Sequence, residues 1–156
     1  MIQDSKDVIV KTLARLLAPF IMLYALYVIM HGHHSPGGGF QGGVILAASF
    51  VLLVVAHGID KIRNLFPERI ANILSSVGVF IYGGIGLLCL LLGGKFLDYG
   101  KLTKILSVVP ARAINLGILG VEIGVALAVM SVMCIIVFTI FSSEDIPEDK
   151  GEVRNE

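Results

Sequence analysis

Long apolar runs separated by short polar stretches dominate this chain. Four of the runs lie at about residues 8–30, 40–59, 70–92 and 114–141. The hydrocarbon core of a membrane is about 30 Å thick, and an α-helix crosses it in roughly 20 residues. Because lipid offers no partners to backbone N–H and C=O groups, each run must be helical. The pattern predicts an all-α integral membrane protein, with four transmembrane helices in residues 1–141 and an acidic, polar tail in residues 142–156.

The composition favours the same class of protein. Of 156 residues, 56% are hydrophobic and only 15% are charged, which is more apolar surface than a small soluble domain can keep from water. The loops are too short for a soluble active site, and no arrangement of Ser, Cys or His suggests a nucleophile. We therefore expect a chain that binds the lipid bilayer, is not an enzyme by itself, and has no cofactor and no nucleic-acid partner.

The basic residues are shared unequally between the two sides of the predicted membrane. With four spans, one side carries Lys6, Lys11, Arg15, Lys61, Arg63, Arg69, Lys150 and Arg154, and the other carries Lys95, Lys101, Lys104 and Arg112. The positive-inside rule places the richer side in the cytoplasm. We expect a multi-pass protein of the cell membrane with both termini cytoplasmic, although the basic third loop acts against this orientation.

A segment rich in histidine and glycine, HGHHSPGGGFQGG, separates the first two spans at residues 31–43. Pro36 opposes a helix running through it, and the glycines permit unusual backbone angles and close approach of another backbone. We expect a tight, non-helical re-entry that needs protein around it. The amide of Gln41 should bond to a neighbour. Three interpretations of His31, His33 and His34 stay open: interface residues, a proton relay, or metal ligands, the last disfavoured because no Cys, Asp or Glu is nearby in sequence.

The fourth span has two contrasting faces. Small residues share one stripe: Gly117, Gly120, Gly124, Ala128 and Ser131. Asn115 and Glu122 lie seven residues apart, on a face nearly opposite that stripe. If the stripe packs within the chain, both polar residues should point outward, where another subunit or a water-filled passage must cover them. Glu122 is then either a proton or cation site or a structural contact. His57, near the end of the second span, is either an interfacial residue or a relay member.

Glycines are also frequent in the third span, at positions 78, 83, 84 and 86. Each lowers helix propensity by about 1 kcal/mol relative to alanine, so we expect close helix packing as compensation. The loop after this span mixes polar and apolar residues, and its middle predicts a short helix along the membrane surface.

The segment HGHHSPGGGFQGGVILAASFVLL resembles the signature of the MnhB/MrpB family, the B subunits of multisubunit Na⁺/H⁺ antiporters. The motif carried over is His31, Gly32, His33, Pro36, Gly37, Gly38, Gly39, Phe40, Gly42 and Gly43, with Gln41 inside it. Chain length and the four spans agree with the resemblance. It implies a small non-catalytic subunit that packs beside larger, proton-pumping subunits in a hetero-oligomer, where the motif docks and shapes the assembly.

The resemblance leaves a second assembly open. The same subunit type occurs in archaeal membrane-bound respiratory complexes that contain a hydrogenase-like or sulfur-reducing module. The stretch from Asn115 to Glu122 is more similar to that version than to the antiporter version, which has an aspartate near position 115 and lacks Glu122. The chain would then belong to an oxidoreductase complex with its redox centres on other subunits. A purely structural scaffold with no ionisable role is a third hypothesis.

Overall fold

The computed structural model describes residues 2–32, 37–106 and 108–143. Helices account for most of this part of the chain, which holds no strand. The six α-helices are α1 (Ile2–Met30), α2 (Gly39–His57), α3 (Ile59–Leu65), α4 (Glu68–Leu91), α5 (Thr103–Leu106) and α6 (Pro110–Ser143), with a 3-10 turn at Tyr99–Leu102. Four of them, α1, α2, α4 and α6, are long and apolar enough to cross a membrane. The predicted all-α membrane architecture is confirmed.

The ends of the helices follow local chemistry. The second span stops at His57, two residues before the predicted end, because Gly58 has φ +86° and turns the chain into α3. The last helix begins at Pro110, four residues before the predicted start, since proline is well tolerated in the first helical turn. At 34 residues it is about 50 Å long, so it extends beyond the hydrocarbon or crosses it at a tilt. It also includes the first two residues of the predicted tail, of which residues 144–156 lie outside the described part.

The spans pack in the order α1, α2, α6, α4, so α6 has a neighbour on both sides. The larger apolar cluster joins α2, α3 and the C-terminal half of α6, through Ala47, Val54, Ile62, Met130, Cys134 and Phe138. A smaller cluster at the other end contains Cys89, Leu102 and Ala113. Both cysteines are buried free thiols.

The predicted small stripe of α6 packs against α4 and the third loop, as expected. Gly124 and Ala128 meet α4 at Gly78, where an added Cβ would lie 2.6 Å from the Ala128 backbone nitrogen. Gly117 lies under the ring of Tyr99. The four glycines of α4 fall into two groups. Gly78 and Gly86 are tightly packed, whereas Gly83 and Gly84 have open space at the Cβ position. The prediction of close packing therefore holds for two of the four within the described residues.

The loops cover the ends of the row. At the end where α2 finishes, Arg63 pairs with Glu68 at 2.6 Å and reaches Ser142 of α6 at 3.4 Å. At the other end, Phe96 packs on Gly86, and the 3-10 turn and α5 confirm that the third loop contains short helical segments. Lys104 Nζ donates to the Leu92 carbonyl, 3.3 Å away, beyond the end of α4.

Candidate functional site

The first turn and a half of α2 is built from the glycine-rich segment. Gly39, Gly42 and Gly43 lie inside this helix, and only Gly37 and Gly38 precede it as irregular chain. The start of the predicted span 40–59 is confirmed, and the expectation that the whole glycine segment is non-helical is wrong for residues 39–43. The helix forms because packing on two sides outweighs the low helix propensity of glycine.

Each of these three glycines lets a neighbouring helix approach α2. An added Cβ at Gly39 would overlap the backbone carbonyl of Glu122, and at Gly43 it would lie 2.8 Å from the Ala126 carbonyl oxygen. Gly42 faces α1 instead. A Cβ added there would overlap the Ile29 side chain and lie 3.1 Å from the carbonyl oxygen of Ala25. The glycine run therefore packs the start of α2 between α1 and α6, which agrees with the expected close backbone approach.

Glu122 lies at the centre of this contact. Its carboxyl group touches Gly32, where an added Cβ would overlap Oε1, and Oε1 would lie 3.2 Å from a Cβ added at Gly38. Gly38 is the N-cap residue of α2, so the carboxyl group lies beside the positive end of that helix dipole. The side chain is half-buried. The prediction that Glu122 points outward is therefore wrong: the chain's own glycines cover it, because α6 packs against α2 on the side opposite α4.

The other polar candidates lie apart from Glu122 or at its edge. Asn115 is exposed, as predicted. Gln41 folds back over Gly37 of its own segment. His31 is exposed and extends α1, with its ring stacked on Tyr27 at 4.3 Å and its Nδ1 3.2 Å from the Tyr27 carbonyl oxygen. His57 lies at the opposite end of α2. His33, His34 and Pro36 lie outside the described residues.

The third loop approaches the same end of α6. Tyr99 packs on Gly117, and burial raises the pKa of its phenol. The charges of Cys89, Tyr82 and Glu122 raise this pKa further, in that order of size. Tyr99 thus covers α6 at Gly117, which lies before Glu122 on the same helix. Sequence reasoning missed this neighbour, and no motif signals it, because the loop's path is decided by tertiary packing.

The arrangement defines what Glu122 can do. It is the only acidic residue away from the helix ends in the four spans. Its carboxylate can accept hydrogen bonds from backbone N–H groups or offer oxygens to a proton or a hard cation. Sequence reasoning found the residue but not its glycine surroundings. The available signal was one intramembrane acid together with several glycines able to receive it.

Comparison with known proteins adds independent information. Residues 9–135 match a family described as a domain related to the MnhB subunit of Na⁺/H⁺ antiporters. A protein of Bacillus subtilis (strain 168), named as the B subunit of an Na⁺/H⁺ antiporter, is 34% identical over 90 residues, which cover 52% of this chain and 63% of that protein. A protein of Staphylococcus aureus (strain Newman) named "Putative antiporter subunit mnhB2" is 28% identical over 130 residues, which cover 80% of this chain and 92% of that protein.

Proposed function

Because the chain belongs to the family of MnhB-related subunits of Na⁺/H⁺ antiporters, we propose that it is a small membrane subunit of a multisubunit cation/proton antiporter. Its partners are the other membrane subunits of that antiporter, and Na⁺ is the cation exchanged for H⁺. The chain supports ion translocation and assembly and has no enzymatic activity by itself. The observation that carries this proposal is the family match over residues 9–135, which includes both the glycine-rich segment and Glu122.

The packing of the helices supports a role shared with other subunits. The spans follow one another in a row, and Glu122 is the one carboxyl group inside it. An ion that crosses the membrane near Glu122 therefore needs further polar groups, which other subunits must contribute. Asn115 is exposed on the same helix and is suited to hydrogen-bond such a neighbour.

Glu122 is the residue of this chain that we assign to ion or proton transfer. Its position beside the N-terminus of α2 lets backbone N–H groups stabilise a negative charge within the membrane. A carboxyl group kept there for structure alone could be replaced by an amide of the same shape at little cost. The histidines of the segment are assigned to the interface, and His31 stacked on Tyr27 is consistent with that role.

Transport by the assembled complex tests the proposed function. Everted membrane vesicles from cells that express the complete antiporter are energised, and Na⁺-dependent release of the proton gradient is followed with a fluorescent dye. We expect exchange with the full set of subunits and loss of exchange when this chain alone is omitted. The purified chain in liposomes should show no exchange. Robust exchange by the isolated chain, or full exchange without it, would overturn the proposal.

The respiratory assembly is the alternative partner set. Its support is the resemblance of the Asn115 to Glu122 stretch to the subunit of redox-driven complexes. Affinity purification from the native membrane in a mild detergent, followed by mass spectrometry, distinguishes the two. Antiporter subunits alone would indicate a stand-alone exchanger. Additional subunits that bind iron–sulfur clusters or nickel would indicate a redox-driven pump.

A further inference from the structure

A polar pocket lies between the first two spans, at the end of the molecule opposite Glu122. Its volume is about 330 Å³, and its lining is mostly polar despite the apolar helices that form it. The pocket exists because α2 ends at Gly58, where a φ of +86° turns the chain away from α1. The lining residues come from one turn of α1 and from the last turn of α2: Val10, Lys11, Val55, Ala56, His57 and Gly58.

The depth of the pocket corresponds to lipid headgroups. Lys11 lies in the first turn of the apolar window that begins at Val8, and His57 and Gly58 mark the end of the α2 window. At that depth a lysine side chain extends its ammonium group toward the membrane surface. Groups that bind here are therefore expected to come from the headgroup layer rather than from the hydrocarbon.

The charge at the pocket is positive. Arg15 lies one helical turn from Lys11, so the two side chains are neighbours on α1, and both are exposed. The C-terminal end of α2 contributes about half a negative charge. Lys11 is the charged side chain of the lining, Arg15 lies one turn away outside the lining, and the exposed Asp60 lies two residues after Gly58. The two cations still outweigh the helix end and this carboxylate together, and the balance favours an anionic ligand.

His57 adds a hydrogen-bond donor. Its Nδ1 is enclosed and has no hydrogen-bond partner among the described residues. A proton on Nδ1 would therefore be a buried donor without an acceptor, which is costly, so a neutral ring is better protonated on Nε2. That nitrogen is left to donate to a group in the pocket.

We propose that this pocket binds the phosphate headgroup of an anionic phospholipid, from the leaflet on the side of the chain's N-terminus. Lys11 and Arg15 neutralise the phosphate, His57 donates a hydrogen bond to it, and the acyl chains lie along the apolar surfaces of α1 and α2. Basic pockets between transmembrane helices are suited to such headgroups. The site lies at the far end of α2 from Glu122, so the proposal does not rest on the role assigned to Glu122.

Photo-crosslinking of the assembled complex tests the site. A phosphatidylglycerol with a photoreactive acyl chain is added to the delipidated complex, and crosslinks to this chain are quantified by mass spectrometry. We expect labelling of α1 and α2 near the pocket, and weak labelling by the matching phosphatidylcholine probe. Lys11→Gln should lower the phosphatidylglycerol labelling about fivefold, the factor expected for one lost surface cation. Lys61→Gln, an exposed lysine on α3 beyond the pocket, is the matched control and should leave it unchanged.

Four results would overturn the proposal. Equal labelling by the two lipids would show that the pocket does not select an anionic headgroup, because phosphatidylcholine also carries a phosphate. Equal labelling of wild type and Lys11→Gln would show that Lys11 does not bind the headgroup. Displacement of the probe by excess inorganic phosphate would show that the headgroup alone is bound and the lipid is not required. A carbodiimide crosslink from Lys11 to a carboxylate of another subunit, with no lipid labelling, would identify a protein occupant.

Discussion

A carboxyl group inside a membrane span is stable only where protein groups replace the water it has lost. The carboxyl group of Glu122 lies against Gly32 and beside Gly38, where a residue with a side chain would occupy its space. The glycines therefore have two effects. They let α2 approach α6, and they leave room for the one acid in the interior of the spans.

Glu122→Gln tests whether the negative charge itself is used. The amide keeps the shape of the carboxyl group, so we expect the complex to assemble normally. Na⁺-dependent proton exchange in everted vesicles should fall about tenfold or more, because a hydrogen bond to a charged group contributes about 1.5 kcal/mol or more. Assembly is measured by the yield of co-purified subunits, and exchange by dye fluorescence.

Glu68→Gln is the control for this change. Glu68 pairs with Arg63 at an exposed position, and such pairs contribute less than about 1 kcal/mol. Neither assembly nor exchange should change. A scaffold role for Glu122 would be indicated if its amide variant kept full exchange, and a purely interfacial role if assembly were lost together with exchange.

Single residues were predictable in kind but not in surroundings. Counting 100° per residue correctly separated Glu122 from the small stripe of α6, and it identified Asn115 as exposed. The count carries no information on which helices lie on either side. Since α6 packs between α4 and α2, both of its faces are covered, and Glu122 meets Gly32, a residue 90 positions away in sequence.

At the scale of elements, α4 and α6 cross closely at Gly78 of α4. Gly78→Ala would place a Cβ 2.5 Å from the Gly124 carbonyl oxygen and 3.0 Å from the Ala128 Cβ. The backbones must then separate, and we expect a loss of about 1–3 kcal/mol in the free energy of unfolding, as for overpacked cores. Reversible denaturation of the purified full-length chain in detergent micelles measures the change.

Gly83→Ala provides the comparison within the same helix. Nothing lies within 4 Å of its Cβ position, so alanine should cost nothing in packing and gain up to about 1 kcal/mol in helix propensity. If Gly83→Ala were the destabilising change and Gly78→Ala the tolerated one, α4 would contact α6 through a different face from the one described.

Element boundaries and packing differ in how far sequence determines them. The four spans were predictable, because length and hydropathy are enough to define a transmembrane helix. The helical state of Gly39, Gly42 and Gly43 was not, because local propensity favours a break and only contact with α1 and α6 reverses it. The glycine-rich run supports a helix here through its neighbours rather than through its own preference.

At the scale of the whole molecule, the orientation in the membrane depends on how many Lys and Arg residues each side carries. The structure places Arg63 within 3.4 Å of Ser142, so the second loop and the end of α6 share a side, as four spans require. On the other side, Lys104 donates to the Leu92 carbonyl beyond the end of α4, and a cation there is favourable to the helix dipole. One charge of the third loop thus has a structural use, and the eight Lys and Arg residues of the opposite side are expected to decide the orientation.

Accessibility of single cysteines to a membrane-impermeant maleimide measures this orientation in intact cells. Lys61→Cys on α3 and Lys95→Cys in the third loop are both exposed positions, whereas Cys89 and Cys134 are 0% and 2% exposed and should stay unlabelled. We expect labelling of Lys95→Cys from outside and of Lys61→Cys only after the cells are opened, which would place both termini in the cytoplasm. The reverse labelling pattern would show that the protein has the opposite orientation, with both termini outside the cell. The Lys11 pocket would then face the outer leaflet, and Glu122 would lie nearer the cytoplasmic end of the ion pathway than the extracellular one.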